Sequence, residues 1–503
     1  MEHFNLNLNQ KIRKNVYYVL AGKLLNPIVT FLITGYIIRH ISISDYGVYN
    51  ILIAVMGYVG LLSALGLLNI FQRYIPDFFH QKEYSHVKVL VRNGCFYRLI
   101  LSLLIIGLLI LFSGQTGKLF KIDGYIDYFK LFALGIVFFL EAELIGLALT
   151  SLFLHKYFVL SHIVYIWSRA AILYFSLRNG GNLNTLLLCE VIAYCLLFVI
   201  QGYLYITRFE KRYPSDSHSA FPLKRLMRYG TFSYFNEMGE QILDVSTDFF
   251  VISSFLGSQS VGLYAFANQV MRLLSKWMPH MMIMDVITPT FFTRYSQKQN
   301  PSELVLMFHL LFKFISFFFI PMFFGIVVLG DKLIIHFFDV KYLDALHVLY
   351  IVAFFTLLSA FDSPLGLVVQ SVEKVEIHFI GKIFSVYNLI GDLLVVKPYG
   401  IVGVALVTGS AILFKNILTY FYIRRHVSFS IQIKPMLKIT FNSVVMGLAI
   451  YFLRSIVVDV ISFLITVLLG GIVYFLLSAI NRSFDPKERD IINKIIGKPL
   501  FMF

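Results

Sequence analysis

Apolar runs of about 20 residues recur along almost the whole chain, parted by short polar stretches. They place predicted helical spans at 16–38, 48–70, 96–113, 129–150, 155–177, 185–206, 229–256, 260–292, 304–329, 346–370, 376–396, 400–423, 436–457 and 460–480. The eighth is too long for one simple crossing and is expected to run past the bilayer. The alternating ten-residue segments of a membrane β-barrel are absent. No polar gap exceeds about 25 residues, which leaves no room for a sizeable soluble domain. The pattern predicts an all-α polytopic membrane protein with about 14 transmembrane helices.

Composition agrees. Of the 503 residues 58% are hydrophobic and only 14% charged, against roughly a quarter charged in a soluble domain. The net charge of +15 would suggest nucleic acid in a soluble protein, but here it follows topology. With the N-terminus inside, tails and even-numbered connections hold 26 Lys and Arg, and odd-numbered connections hold 8. That asymmetry puts both termini in the cytoplasm. Cys95, Cys189 and Cys195 form no disulfide framework. The basic Lys11-Ile12-Arg13-Lys14 leads into a span containing Lys23 and Asn26 without a small-residue cleavage site, so no cleavable signal is expected.

The richest cytoplasmic connection, TRFEKRYPSDSHSAFPLKRLMR (207–228), divides two six-span halves, 1–206 and 229–424. Residues 425–503 add two spans and a tail, whose DPKERDIINKIIGK reads as a surface helix capped by Asp485. The halves resemble each other. DYGVYNI (45–51) matches SVGLYAF (260–266), aligning Gly47 with Gly262 and Tyr49 with Tyr264, and IPDFF (75–79) matches TPTFF (288–292). Six spans per copy relate the copies by an axis along the membrane normal, an arrangement common in transporters.

The polar residues at membrane depth carry the candidate chemistry. On a continuous helix Glu237, Glu240, Gln241, Asp244 and Asp248 share an arc of about 100°, as do Asn268, Arg272, Ser275, Lys276 and Pro279 in the next span. Each such charge costs about 2.5–3.5 kcal/mol at a span centre, so both stripes are expected to face a solvated or protein-lined interior. Two readings stand: neighbouring helices neutralise each other, or a cavity handles charge. Lys23 and Asn26, Glu141 and Glu143, His162, Tyr165 and Arg169 on one face, Asp362, Lys382, Asp392 and Lys415 are further interior candidates. Lys415 and Glu143 suit simple pairing, whereas Arg169 is the stronger functional candidate. A cavity so rich in cations would draw an anion, and arginine suits phosphate. No phosphate loop, HExxH, CxxC or Gly-x-Ser-x-Gly elbow occurs, so no enzyme chemistry or cofactor is expected.

IIRHISISDYGVYNIL, LGLLNIFQRYIPDFF and DFFVISSFLGSQSVGLYAFANQV together resemble the Wzx-type oligosaccharide flippases of polysaccharide biosynthesis. The resemblance runs through the whole chain in span count and loop placement. It implies the multidrug/oligosaccharidyl-lipid/polysaccharide (MOP) exporter superfamily, with two MATE-like six-helix lobes opening alternately and two extra C-terminal helices. It further implies flipping of an undecaprenyl-pyrophosphate-linked oligosaccharide across the inner membrane for surface polysaccharide such as O-antigen lipopolysaccharide. Expected partners are that substrate, membrane lipids, a polysaccharide polymerase and glycosyltransferases, with no nucleic acid. The family does not fix which residues bind. From the charge pattern Arg169, Arg272, Lys276, Lys23, Asn26 and Lys382 are expected to contact substrate, and Glu237, Asp244 and Asp248 to couple to H⁺ or Na⁺. The alternatives are a multidrug/cation antiporter or a lipid II flippase of the same superfamily. A membrane glycosyl polymerase would need a large external loop, and the longest here has about 16–18 residues.

Overall fold

The computed structural model describes residues 26–122, 126–178, 180–214, 221–279, 301–372, 376–427, 432–496 and 501–503. They are helical without strands, and the chain forms two compact units, Met1–Gly262 and Leu263–Phe503.

The first unit contains α1 (26–40), α2 (Ile43–Ala64), α3 (Leu67–His80), α4 (Tyr84–Leu111), α5 (Ser113–Phe120), α6 (Ile126–Ser151), α7 (His155–Leu177), α8 (Leu183–Tyr205), α9 (Leu223–Ile242) and α10 (Val245–Leu256). The next helix, α11 (Ser258–Lys276), begins in this unit and ends in the second. The second unit continues with α12 (Pro301–Phe337), α13 (Leu346–Leu358), α14 (Asp362–Ser371), α15 (Glu376–Gly381), α16 (Ile383–Arg424), α17 (Ile433–Leu453), α18 (Val460–Asn481) and α19 (Pro486–Ile496).

Among the described residues ten helical segments are long and apolar enough to cross a membrane. The difference from fourteen has identifiable physical sources. The first predicted span begins outside the described residues, as does the far part of the eighth. The seventh is broken into α9 and α10. The eleventh and twelfth merge in α16, whose 42 residues would run about 63 Å if straight. It is not straight. Gly400 takes φ 59° and ψ −149°, just after Pro398, and the two arms fold back on each other. The Tyr387 and Ser410 hydroxyls meet at 3.1 Å, and the Phe384 and Phe414 rings lie 6.3 Å apart.

The second predicted span also breaks. Leu65 and Gly66 both have positive φ, 46° and 79°, which ends α2 and starts α3. A Cβ on Gly66 would run into the Gly230 carbonyl of α9, so α9 lies directly against this break. Where α3 and α6 end, α4 begins and the chain leaves α8, a core gathers Phe71, Tyr74, Phe78, Val87, Leu144 and Phe209, and Leu226 of α9 packs into it.

The two glycines matched in the repeat meet. A Cβ on Gly47 would strike the Ser258 carbonyl, and one on Gly262 would strike the Ile43 carbonyl. Ile43 and Ser258 are themselves the matching positions four residues earlier. The starts of α2 and α11 therefore cross through equivalent atoms, with the Ser44 and Ser258 hydroxyls 2.6 Å apart.

Candidate functional site

The acidic stretch EMGEQILDVSTDFF is not one continuous stripe. α9 ends at Ile242, and Asp244 is the N-cap of α10, accepting from the Ser246 amide at 2.9 Å. Its extended backbone interrupts the 100° periodicity, so the four acids do not share one face. Asp244 is exposed and Asp248 fully buried. Glu237, half-buried on α9, accepts from Asn69 of α3 at 2.5 Å. Thr247 bonds the Gln241 carbonyl at 3.1 Å and the Tyr58 hydroxyl at 2.5 Å, fastening the break to α2.

Near Glu237 lies a polar cluster built on a buried arginine. Arg98 is 0% exposed. Its guanidinium donates to the Leu140 carbonyl at 2.8 Å and to Glu143 at 2.6 Å. Both Arg98 and Glu143 act electrostatically on Glu237. Arg98 is among the largest fully buried side chains of the unit.

Arg169 is held differently from the expectation. It donates through Nε to Glu190 of α8 at 2.8 Å, pairs with the same carboxylate through Nη2 at 2.5 Å, and reaches the Tyr49 hydroxyl at 3.4 Å. Tyr49 in turn donates to Glu190 at 2.9 Å. Glu190 is 0% exposed. The network consumes the guanidinium and ties α2, α7 and α8 together inside the first unit. Lys415 likewise pairs with Asp362 at 3.0 Å. Lys313 is buried against Glu488 of the tail, with Nζ 2.8 and 2.7 Å from the two carboxylate oxygens.

Arg272 and Lys276 stand apart. One helical turn separates them on α11, both are exposed, and neither forms an ion pair among the described residues. Lys382 has partners of its own. Lys23 lies outside the described residues, and Asn26 sits half-buried at the start of α1 with Oδ1 unbonded among the described residues. The site expectations thus divide into Arg169, committed to an internal pair, and Arg272 with Lys276, whose charge the described residues leave unneutralised.

Glu190 and Asn69 were not singled out from sequence, and Tyr49 only as a position of the internal repeat. Arg169 and Glu190 lie nearly equidistant from the Gly180–Gly181 turn that joins α7 to α8, and that symmetry about the turn was the available signal. Arg98 and Glu143 are placed likewise about the α4–α6 connection.

Comparison with known proteins completes the picture. Residues 12–294 match the model of a family described as polysaccharide biosynthesis protein. A probable low-salt glycan biosynthesis flippase, Agl15 of Haloferax volcanii, is 23% identical over 93% of this chain and 94% of its own. The solved structure of the lipid II flippase MurJ in an inward closed conformation superposes with a TM-score of 0.69, covering 94% of this chain and 99% of MurJ at 18% identity. An inward-facing MATE family multidrug resistance transporter of the MOP superfamily gives 0.60 over 82% of this chain and 94% of its own, at 14% identity. The matched family model spans more than half the sequence, and the helical fold is similar to that of these two solved structures. The chain belongs to the polysaccharide biosynthesis protein family.

Proposed function

We propose that this protein flips a lipid-linked oligosaccharide, carried on undecaprenyl pyrophosphate, across the cytoplasmic membrane for surface polysaccharide assembly. In this reading both termini are cytoplasmic, and the lobes alternate their opening between the two sides. Glycosyltransferases supply the substrate and a polymerase consumes it.

The observation that carries the reading is the contrast among the cations of the predicted spans. Arg98, Arg169 and Lys415 have acidic partners, whereas Arg272 and Lys276 repeat positive charge on one helix with no described acid beside them. Two cations inside the predicted eighth span, with no acid beside them among the described residues, are costly to keep without an anion to meet. A diphosphate supplies that anion, and an arginine fork matches its geometry. A cation antiporter would need the opposite arrangement. Glu237 and Asp248 are assigned H⁺ or Na⁺ coupling, while Asp244 acts as a helix cap.

The test is transport of a lipid-linked oligosaccharide in proteoliposomes by Arg272→Ala and Lys276→Ala. Losing a charge-assisted contact of about 1.5–3 kcal/mol lowers transport at least tenfold in each, with expression unchanged. Wild-type rates in both variants would refute the assignment. Lipid II supplied in place of the oligosaccharide carrier separates the two flippase substrates.

A further inference from the structure

A second basic site lies in the first unit, away from Arg272 and Lys276. Where α9 begins beside α3, a cavity of about 850 Å³ opens, lined by Tyr74, Phe221, Lys224, Arg225, Arg228 and Phe232 among others. Its three cations make no ion pair among the described residues and are exposed. The Arg225 guanidinium sits 5.4 Å from the centre of the Tyr74 ring, which holds that side chain against the cavity wall.

Helix stability does not account for these charges. Lys224 and Arg225 occupy the first turn of α9, where the helix dipole is already positive, and Pro222 at the N-cap provides no side-chain cap. Arg228 repeats the charge one turn on, so like charges repel at both i,i+3 and i,i+4. A sequence that sets three mutually repelling cations and aromatic walls around one cavity, against its local helix preferences, is arranged for an anion with an apolar companion.

The placement names the source of that anion. Phe78 is 6.5 Å from Phe221, Phe79 is 5.7 Å from Tyr84, and Tyr84 is 4.5 Å from Tyr213. Tyr84 begins one candidate span, and Glu210, three residues before Tyr213, ends another. The cavity therefore opens at the end of the first unit where these two apolar segments give way to polar chain, the side from which lipid headgroups are reached.

We propose that this cavity binds the phosphate-bearing headgroup of an anionic membrane lipid. Lys224, Arg225 and Arg228 meet the phosphate, and Tyr74, Phe221 and Phe232 wall the group beside it. Two sources share that chemistry: a bulk phospholipid such as phosphatidylglycerol, and the polyprenyl pyrophosphate carrier, whose candidacy rests on the function proposed above.

Native mass spectrometry of the full-length protein, titrated separately with phosphatidylglycerol, undecaprenyl pyrophosphate and zwitterionic phosphatidylcholine, reads the site without any flipping step. A failure here therefore leaves the transport test of Arg272 and Lys276 intact. The pyrophosphate arm is repeated in the Arg272→Ala/Lys276→Ala background, so that the proposed substrate site does not mask this one. Lys224→Ala/Arg225→Ala/Arg228→Ala is expected to weaken anionic lipid binding about a hundredfold, while phosphatidylcholine is ignored. Lys211→Ala/Arg212→Ala removes charge from the same end outside the cavity and is expected to stay within about twofold of wild type, because the charge it deletes touches no bound headgroup. Preference for one anionic lipid identifies the source. If the triple variant does not accumulate, Arg228→Lys retaining binding and Arg228→Glu losing it tenfold or more reports the same site. Unchanged binding in the triple variant, equal loss in the Lys211/Arg212 control, or equal capture of phosphatidylcholine would overturn the proposal.

Discussion

At the residue scale, the deep charges divide by whether the protein answers them itself. Arg169 lies between Glu190 and the Tyr49 hydroxyl, with no exposed face of the carboxylate. Removing one member of such a pair strands a charge in low dielectric at a cost of about 3–5 kcal/mol, whereas replacing both by apolar residues is often close to neutral. Arg169→Met is therefore expected to lower the melting temperature in detergent sharply, and Arg169→Met/Glu190→Leu to recover most of the loss. A transport defect that persists in the thermally restored double variant would return Arg169 to the substrate path. The presence of charge at depth was legible in the sequence, because a lysine or arginine inside an apolar run is visible at once. The partner was not. Glu190 is a lone acid in LLLCEVIAY, and only folding about the Gly180–Gly181 turn brings it to Arg169.

At the element scale, the sequence showed where apolar runs lie but not where helices break inside them. A stripe argument assumes uniform rotation of 100° per residue, and one residue with extended backbone cancels it. Asp244, with φ −73° and ψ 147°, is that residue in the seventh span. Its cue was present in LDVSTDFF, an Asp ahead of a new apolar run, as at other helix starts. As an N-cap it contributes about 1 kcal/mol, and asparagine caps nearly as well. Asp244→Asn is accordingly expected to transport at close to the wild-type rate, and Asp244→Ala to show reduced thermal stability. A proteoliposome assay in which the asparagine variant loses all ion-driven transport would restore Asp244 as a coupling group. The break at Leu65–Gly66 and the reversal at Gly400 follow the same logic. Each sits on a glycine with positive φ that hydropathy alone passes over.

At the scale of the whole molecule, a buried long-range ion pair in the second unit joins α12 to the tail. Lys313 of α12 and Glu488 of α19 are 175 residues apart in sequence, and both are at most 3% exposed. Glu488 also accepts from the Asp485 amide at 2.8 Å, and Phe501 packs 4.9 Å from Phe484 and 6.0 Å from Phe317. The tail helix was legible, but its seat was not, because nothing in the sequence pairs Lys313 with Glu488, 175 residues away. Lys313→Ala is expected to loosen α19 and expose Lys487 and Arg489 to trypsin under conditions where the wild-type tail resists cleavage. Equal resistance in both proteins would show that the aromatic contacts hold the tail unaided.

The crossing of α2 and α11 has a consequence for how the two copies can diverge. Gly47 is roofed by the main chain at Ser258, and Gly262 by the main chain at Ile43, so each copy fills the space the other leaves. Drift in either glycine cannot be buffered by its duplicate, because the duplicate is the surface it would collide with. This interlock confines both positions to the one residue without a side chain.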